Sequence, residues 1–137
     1  MKIHEIPGKL TTEWNPEVRA IIDTMTTYRI TIEELRITFL EKGLKHAKAN
    51  NGQAWIVDLR NASGLFHQEQ LDLINIEIFP ALKKNGIKYF IPIMPENNIF
   101  AEETVKKYSS MTGMNGLQMI EVNNVDQAIL WLKTYAN

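Results

Sequence analysis

The chain has 137 residues, 45% of them hydrophobic and 23% charged, with a formal net charge of −1 at neutral pH and no cysteine. That length suits one domain able to bury roughly 65 to 70% of its unfolded surface without staples, and the ordinary composition argues against disorder and against a coiled coil. The lack of cysteine excludes disulfides, thiolate metal sites and a cysteine nucleophile, and a charge near zero supplies no general field for nucleic acid.

The opening Met1 to Gly8 segment has no apolar core of the signal-peptide kind. No run approaches the ~20 apolar residues that cross a bilayer. The expectation is a cytoplasmic protein with no transmembrane segment, for which peripheral membrane contact stays open. Asn61-Ala62-Ser63 fits a glycosylation sequon, which carries no meaning without secretion.

The first 28 residues read as β structure. Pro7-Gly8 and Asn15-Pro16 are turn signals on either side of a strand at Lys9 to Trp14. From Val18 to Tyr28 one parity carries Val18, Ala20, Ile22 and Tyr28, while the other mixes Arg19, Ile21, Asp23 and Met25. That alternation predicts a strand in an antiparallel hairpin with its predecessor, helped by β-branched Thr24, Thr26 and Thr27. Thr31-Ile32-Glu33-Glu34 is a capping box, with Ile30 and Leu35 spaced as a hydrophobic staple. The helix it starts carries Leu35, Phe39, Leu40, Leu44 and Ala47 as an apolar stripe and closes at Asn51-Gly52.

A strand at Gln53 to Leu59 comes next, then a helix through Leu71, Ile74, Ile78 and Leu82 as far as Gly86. Pro80 deletes a donor and crowds the preceding turn, which predicts a kink or restart near Phe79. Lys88 to Met94 reads as a strand, and Pro92 places it at an edge or a bulge. Asn98 caps a helix running to about Met111, with Ala101, Val105 and Tyr108 inward and Gly113 past its end. Leu117 to Val122 is the last strand. Asn124 and Gln127 imitate a capping box ahead of Val125, Ala128, Ile129, Leu132 and Tyr135.

The order is therefore β-β-β-α-β-α-β-α-β-α in a single domain over 1–137, without internal repeat. The fold class is α/β: a mixed sheet with an antiparallel N-terminal hairpin, then parallel βα units with right-handed crossovers, and helices packed on the sheet.

Ligands of open α/β sheets collect at the carboxyl ends of strands, which directs attention to the turn after Trp55 to Leu59. If the later strands are parallel, the turns at 58–64, 95–98 and 122–124 share one rim, and Asp58, Arg60, Asn61, Ser63, Gly64, Phe66, Glu96 and Asn97 form a ligand- or partner-binding set. Each has a plainer reading. Ser63 either offers a hydroxyl and backbone N–H groups to an anion or a kinase, or ends a turn. Asp58 either faces a ligand or accepts loop N–H bonds, and Arg60 either clamps an anion or pairs with a neighbour such as Glu69. Phe66, Ile78 and Phe79 either open onto an apolar ligand or fill core. His4, His46 and His67 lack ligand spacing, and no nucleophile elbow, phosphate loop or dinucleotide fingerprint occurs. No metal, cofactor or catalytic set is assigned.

This arrangement, with Trp55 to Leu59, the Gly86-Ile87-Lys88-Tyr89-Phe90-Ile91 strand entry and the terminal Val125 to Leu132 run, resembles the STAS superfamily. The nearer likeness is to its SpoIIAA-like branch of small bacterial proteins, over most of the chain. The resemblance implies a four- or five-stranded sheet backed by helices, used as a phosphorylation-switched protein-interaction module or as a carrier of an apolar ligand. Anti-sigma-factor antagonists of this superfamily carry a phosphorylated serine in an Asp-Ser-Ser-Gly-like turn before a helix. The nearest match is Asn61-Ala62-Ser63-Gly64, which implies Ser63 as the modified residue. It departs from the pattern at Asn61 and in its short spacing from Asp58-Leu59.

The leading expectation is a non-enzymatic regulatory domain that binds another protein through the Ser63 turn and the helix after it. The alternatives are a carrier or sensor of an apolar, lipid-like molecule with peripheral membrane contact, and a small enzyme acting through Asp58, Arg60 and Glu96. An exposed strand edge is compatible with a homodimer.

Overall fold

A computed structural model describes residues 1–95 and 99–136; over part of the helix at 99–114 it describes the backbone alone. Six strands form one sheet in sequence order: β1 (Lys2–Ile6), β2 (Leu10–Asn15), β3 (Ala20–Met25), β4 (Ala54–Asp58), β5 (Tyr89–Ile93) and β6 (Gln118–Met119). The first three pair antiparallel and the rest parallel. The sheet thus has one or two strands more than the STAS resemblance implied.

Helix α1 spans 32–49, α-helical over Ile32–Arg36, π-helical over Ile37–Gly43 and α-helical again over Leu44–Ala49. Its capping box is present, Thr31 Oγ1 accepting from Glu34 N and Glu34 Oε1 from Thr31 N, both at 3.0 Å. Ile30 and Leu35 are buried together as the staple requires. Asn51 (φ +57°) makes the left-handed turn at the end of α1. Helix α2 spans 68–84 in the same three parts: Gln68–Leu73, π over Ile74–Ile78, then Phe79–Lys84. The return to α geometry at Phe79 is the restart that Pro80 predicted. Helices α3 (Ile99–Met114) and α4 (Val125–Tyr135) complete the chain.

Because β3, β4, β5 and β6 each lie beside the strand before, right-handed crossovers place α1, α2 and α3 on one face. That face buries Trp14, Ile21, Trp55, Val57 and Phe90 against α1 and α2, and the end of α3 is tied to α2 by Asn115 Nδ2 donating to Asn75 Oδ1 at 3.1 Å. Among the described residues α4 covers the other face, where Ala128 and Leu132 meet Val18, Ala20, Ile22, Ala54, Ile56, Ile91 and Ile93.

Four local expectations need correction. β5 is neither an edge strand nor bulged at Pro92: it pairs with β4 in continuous register, Pro92 opposite Val57, and with β6 through Tyr89 and Phe90. Phe90 O accepts from Ile120 N on the β6 side and Ile93 O from Leu59 N on the β4 side, so Pro92 turns its missing donor towards the end of β6, where the ladder stops. The last strand is correspondingly short. Gly113 lies inside α3, and Gly116 (φ +75°) takes the left-handed position after it. Tyr135 is 71% exposed instead of facing inward, while Trp131 packs edge-on to Tyr89. The Asn98 cap lies outside the described residues, as do the side chains of Ala101, Val105 and Tyr108.

Candidate functional site at the carboxyl rim

Parallel pairing brings the ends of β4, β5 and β6 to one rim, as the element order predicted. Asp58 closes β4 on the α4 face, following Ala54 and Ile56 by the two-residue alternation of a strand. It is buried, and Arg60 folds back over it: Arg60 N and Nε donate to Oδ1 at 3.1 and 3.0 Å, and Nη2 to Oδ2 at 2.8 Å. Burial alone would push the Asp58 carboxyl up, but the Arg60 bonds and charge outweigh it and hold the pKa below the ordinary value. The partner of Arg60 is therefore Asp58, not Glu69, which is exposed. Bidentate pairing at i, i+2 occupies both groups. Of the Asp58 carboxylate oxygens, Oδ1 accepts two of these bonds and Oδ2 one.

The turn after it is clamped by a partner that sequence spacing did not reveal. Ser63 N donates to Thr26 O at 3.1 Å and Tyr28 N donates to Ser63 O at 2.9 Å, a parallel bridge from Ser63 to the segment beyond β3. Leu59 is the buried root of this turn, and Phe66 packs edge-on against Tyr28, centroids 4.6 Å apart. Gln70, a residue the sequence reading passed over, locks the assembly. Its Nε2 donates to Tyr28 O and Ile30 O at 2.9 and 2.7 Å, and its Oε1 accepts from His67 N at 2.6 Å. The available signal was the position of Gln70 three residues after the helix boundary at His67, where a capping side chain reaches back. The side chains of Asn61, Ser63 and Leu65 stand in solvent around this fixed backbone, and Gly64 adopts φ +91°.

Asn124 caps α4 on the same rim, its Oδ1 accepting from Gln127 N at 2.8 Å, and Asp126 adds negative charge near Arg60. Glu96 and Asn97 lie outside the described residues. The structure thus groups Asp58, Arg60, Asn61, Ser63, Gly64 and Phe66 around one turn.

Beneath Phe66 lies a wholly apolar cavity of about 10 Å³, walled by Phe39, Ile74, Ile78, Phe79 and Phe90 among others. That is at most the space of one water, and a site without polar partners does not hold one. Both π-helical segments contribute to its wall.

Sequence parity also passed over Asp23 as a site. It is wholly buried under α1, with Thr12 Oγ1 donating to Oδ1 at 2.5 Å and Trp55 Nε1 to Oδ2 at 2.7 Å. Burial outweighs these two neutral donors and raises its pKa to about 6. A polar residue in an apolar strand was the only visible signal; its donors arrive from the strands on each side. His4 Nε2 lies 3.1 Å from Thr38 Oγ1, but Thr38 is fully buried and no substrate reaches its hydroxyl. Among the described residues, no group of three His, Cys, Asp or Glu side chains is close enough to hold a metal ion. No described helix is long and apolar enough to cross a membrane.

Comparison with family models, with curated proteins and with solved structures found no significant match.

Proposed function

We propose that this chain is a non-enzymatic, cytoplasmic regulatory domain that binds another protein through the turn at Arg60 to Leu65 and the first turn of α2. One observation carries the reading: the backbone of this turn is held by Thr26 and Tyr28, the latter fixed in turn by Gln70, while Leu65 is 57% exposed and Ser63 faces solvent. A protruding segment fixed before binding loses little entropy on association, which favours recognition over loop packing. The STAS resemblance points to the same turn. Ser63 is accessible to a kinase, and a phosphate there would bring nearly two negative charges within reach of Arg60 and compete with Asp58 for it.

The test begins with wild-type and Leu65→Glu protein immobilised in extract of the native host, followed by reconstitution with whatever purified protein the wild type alone retains. Hydrogen exchange of the reconstituted complex should show protection over 60–70. Equal retention by both proteins, or protection elsewhere, removes the reading. Intact mass of the host-purified chain with and without Ser63→Ala tests the phosphate separately.

A second reading, carriage of an apolar molecule, is favoured by the cavity under Phe66. At its present size such a molecule enters only if Phe66 swings out and the π-helical walls part. Organic extraction of the host-purified protein should then release a stoichiometric apolar compound; an empty extract counts against it.

A further inference from the structure

We propose that residues 37–43, the π-helical middle of α1, form a pH-driven flap over Asp23: they seat on the sheet while Asp23 is protonated and lift from it when Asp23 ionises. The device does not rest on the protein-binding function proposed above.

Geometry places the flap. His4, Thr12 and Asp23 lie opposite one another in register across β1, β2 and β3, so their side chains form one polar row on the α1 face. The flap touches residues on both sides of Asp23. Thr38 Oγ1 lies 3.1 Å from His4 Nε2 on the β1 side, while on the β4 side Phe39 stacks on Trp55 at 5.4 Å and Gly43 lies against the same ring. Asp23 is fully buried between those contacts, yet among the described residues its hydrogen bonds come from the sheet, from Thr12 and Trp55, and not from the helix above it.

A protonated carboxyl fits this arrangement. Trp55 Nε1 only donates, so Oδ2 stays an acceptor, and the proton belongs on Oδ1, where the Thr12 hydroxyl can accept it. An ionised carboxylate has about four lone-pair sites, and two neutral donors leave it short in a place where water does not reach. The strands beside Asp23 are held by their ladders, whereas residues 37–43 give it no bond and can part from it to admit water. Stretches of π-helix are rare and recur where helices serve function.

The surrounding charges do not relieve the anion. On this face β2 and β4 bring Leu10, Thr12, Trp14, Trp55 and Val57, which do not titrate in this range. β1 brings His4, which burial and then the Lys42 charge hold below its ordinary pKa of 6.5, so it is neutral at pH 8. From α1 come Lys42 and His46, whose ring packs on Trp14; among the described residues neither pairs with Asp23. Lifting the flap returns Asp23 to water and its pKa from about 6 towards 3.8, so protonation favours the closed form and ionisation the open one. Phe39 also walls the apolar cavity beneath Phe66, so the same movement breaches that cavity.

The test is hydrogen exchange of the full chain between pH 4 and pH 9, read as protection factors corrected for the intrinsic pH dependence of exchange, on wild type, Asp23→Asn and Thr12→Val. In wild type, protection over 37–43 should fall roughly fiftyfold across that range, the ratio set by 3.8 and about 6, while β4 and α4 keep more of theirs. Asp23→Asn has no charge to hydrate and should hold that protection within about twofold. Thr12→Val removes a donor that favours the anion, so the fall should extend to higher pH. Should Asp23→Asn fail to fold, the Thr12→Val result decides. The proposal is overturned by steady protection at 37–43 in wild type, by a fall shared equally with β4 and α4, which is unfolding of the whole chain, by a fall that persists in Asp23→Asn, or by one that ends at the same pH in Thr12→Val.

Discussion

Asp23 shows how much one side chain owes to its surroundings. A carboxylate with two neutral donors and no cation is an expensive anion to bury, and the proton it retains to about pH 6 is the consequence. Its folded pKa lies above the unfolded value of 3.8, so the folded chain binds more protons between those values. The stability this group contributes is present in full below pH 3.8 and is lost as pH rises through about 6. A shift of that size corresponds to about 3 kcal/mol. Asp23→Asn keeps an acceptor for Trp55 and removes the charge. Urea unfolding should show the variant more stable than wild type by about 1 to 3 kcal/mol at pH 8, with the gap shrinking towards pH 4. A gap independent of pH would show that the carboxylate is not the cause.

At the scale of elements, the π-helical segments are the feature that local periodicity does not announce. In α1 the widened turn carries Leu44 N to Phe39 O, five residues back, and brings Gly43 against the Trp55 ring. A Cβ on Gly43 would stand 2.5 Å from Cη2 of Trp55, whose other side is bonded to Asp23 and whose face stacks on Phe39 at 5.4 Å. Glycine here serves close approach. Gly43→Ala should cost about 1 to 3 kcal/mol in chemical denaturation, the range of overpacking in a dense core. It should also alter the near-ultraviolet circular dichroism of Trp55; a neutral substitution would mean that α1 moves off the sheet without strain. In α2 the same device precedes Pro80, where Phe79 N bonds Ile74 O before α geometry resumes. The Asn124 cap was easier to anticipate, because caps act within a few residues of themselves; Asn50 and Asn85, which the sequence analysis did not single out, are as local, each donating to the carbonyl four residues earlier.

At the scale of the molecule, a sheet whose strands follow in sequence order sends every crossover helix to one side. Among the described residues the second face is then covered by α4. Leu132 and Ala128 are its fully buried contacts with Ile56, Ile91 and Ile93. Leu132→Ala should therefore destabilise the chain by about 2 to 5 kcal/mol in thermal or urea unfolding and admit an apolar dye to that face. Loss of less than about 1 kcal/mol would mean that the face tolerates exposure. The free edges, β1 and the two-residue β6, differ in length, and β1 shifts register between Lys2 and His4, a bulge that blunts it for pairing with other chains.

Element order, the starts of α1 and α4 and the antiparallel-then-parallel sheet were legible in the chain because they rest on short-range physics. Hydrophobic period, the Thr31-Glu34 box and the Asn124 cap each act over a few residues. The grouping of Asp58, Arg60 and Ser63 on one turn was legible for the same reason. What needed tertiary structure were the partners: Asp58 claiming Arg60, Gln70 and Tyr28 pinning the turn, Thr12 and Trp55 enclosing Asp23, and β6 ending beside Pro92. Those contacts join residues distant in sequence, and their energies depend on burial and on which strand lies alongside. Neither exists until the sheet has closed and water has been excluded from between its layers.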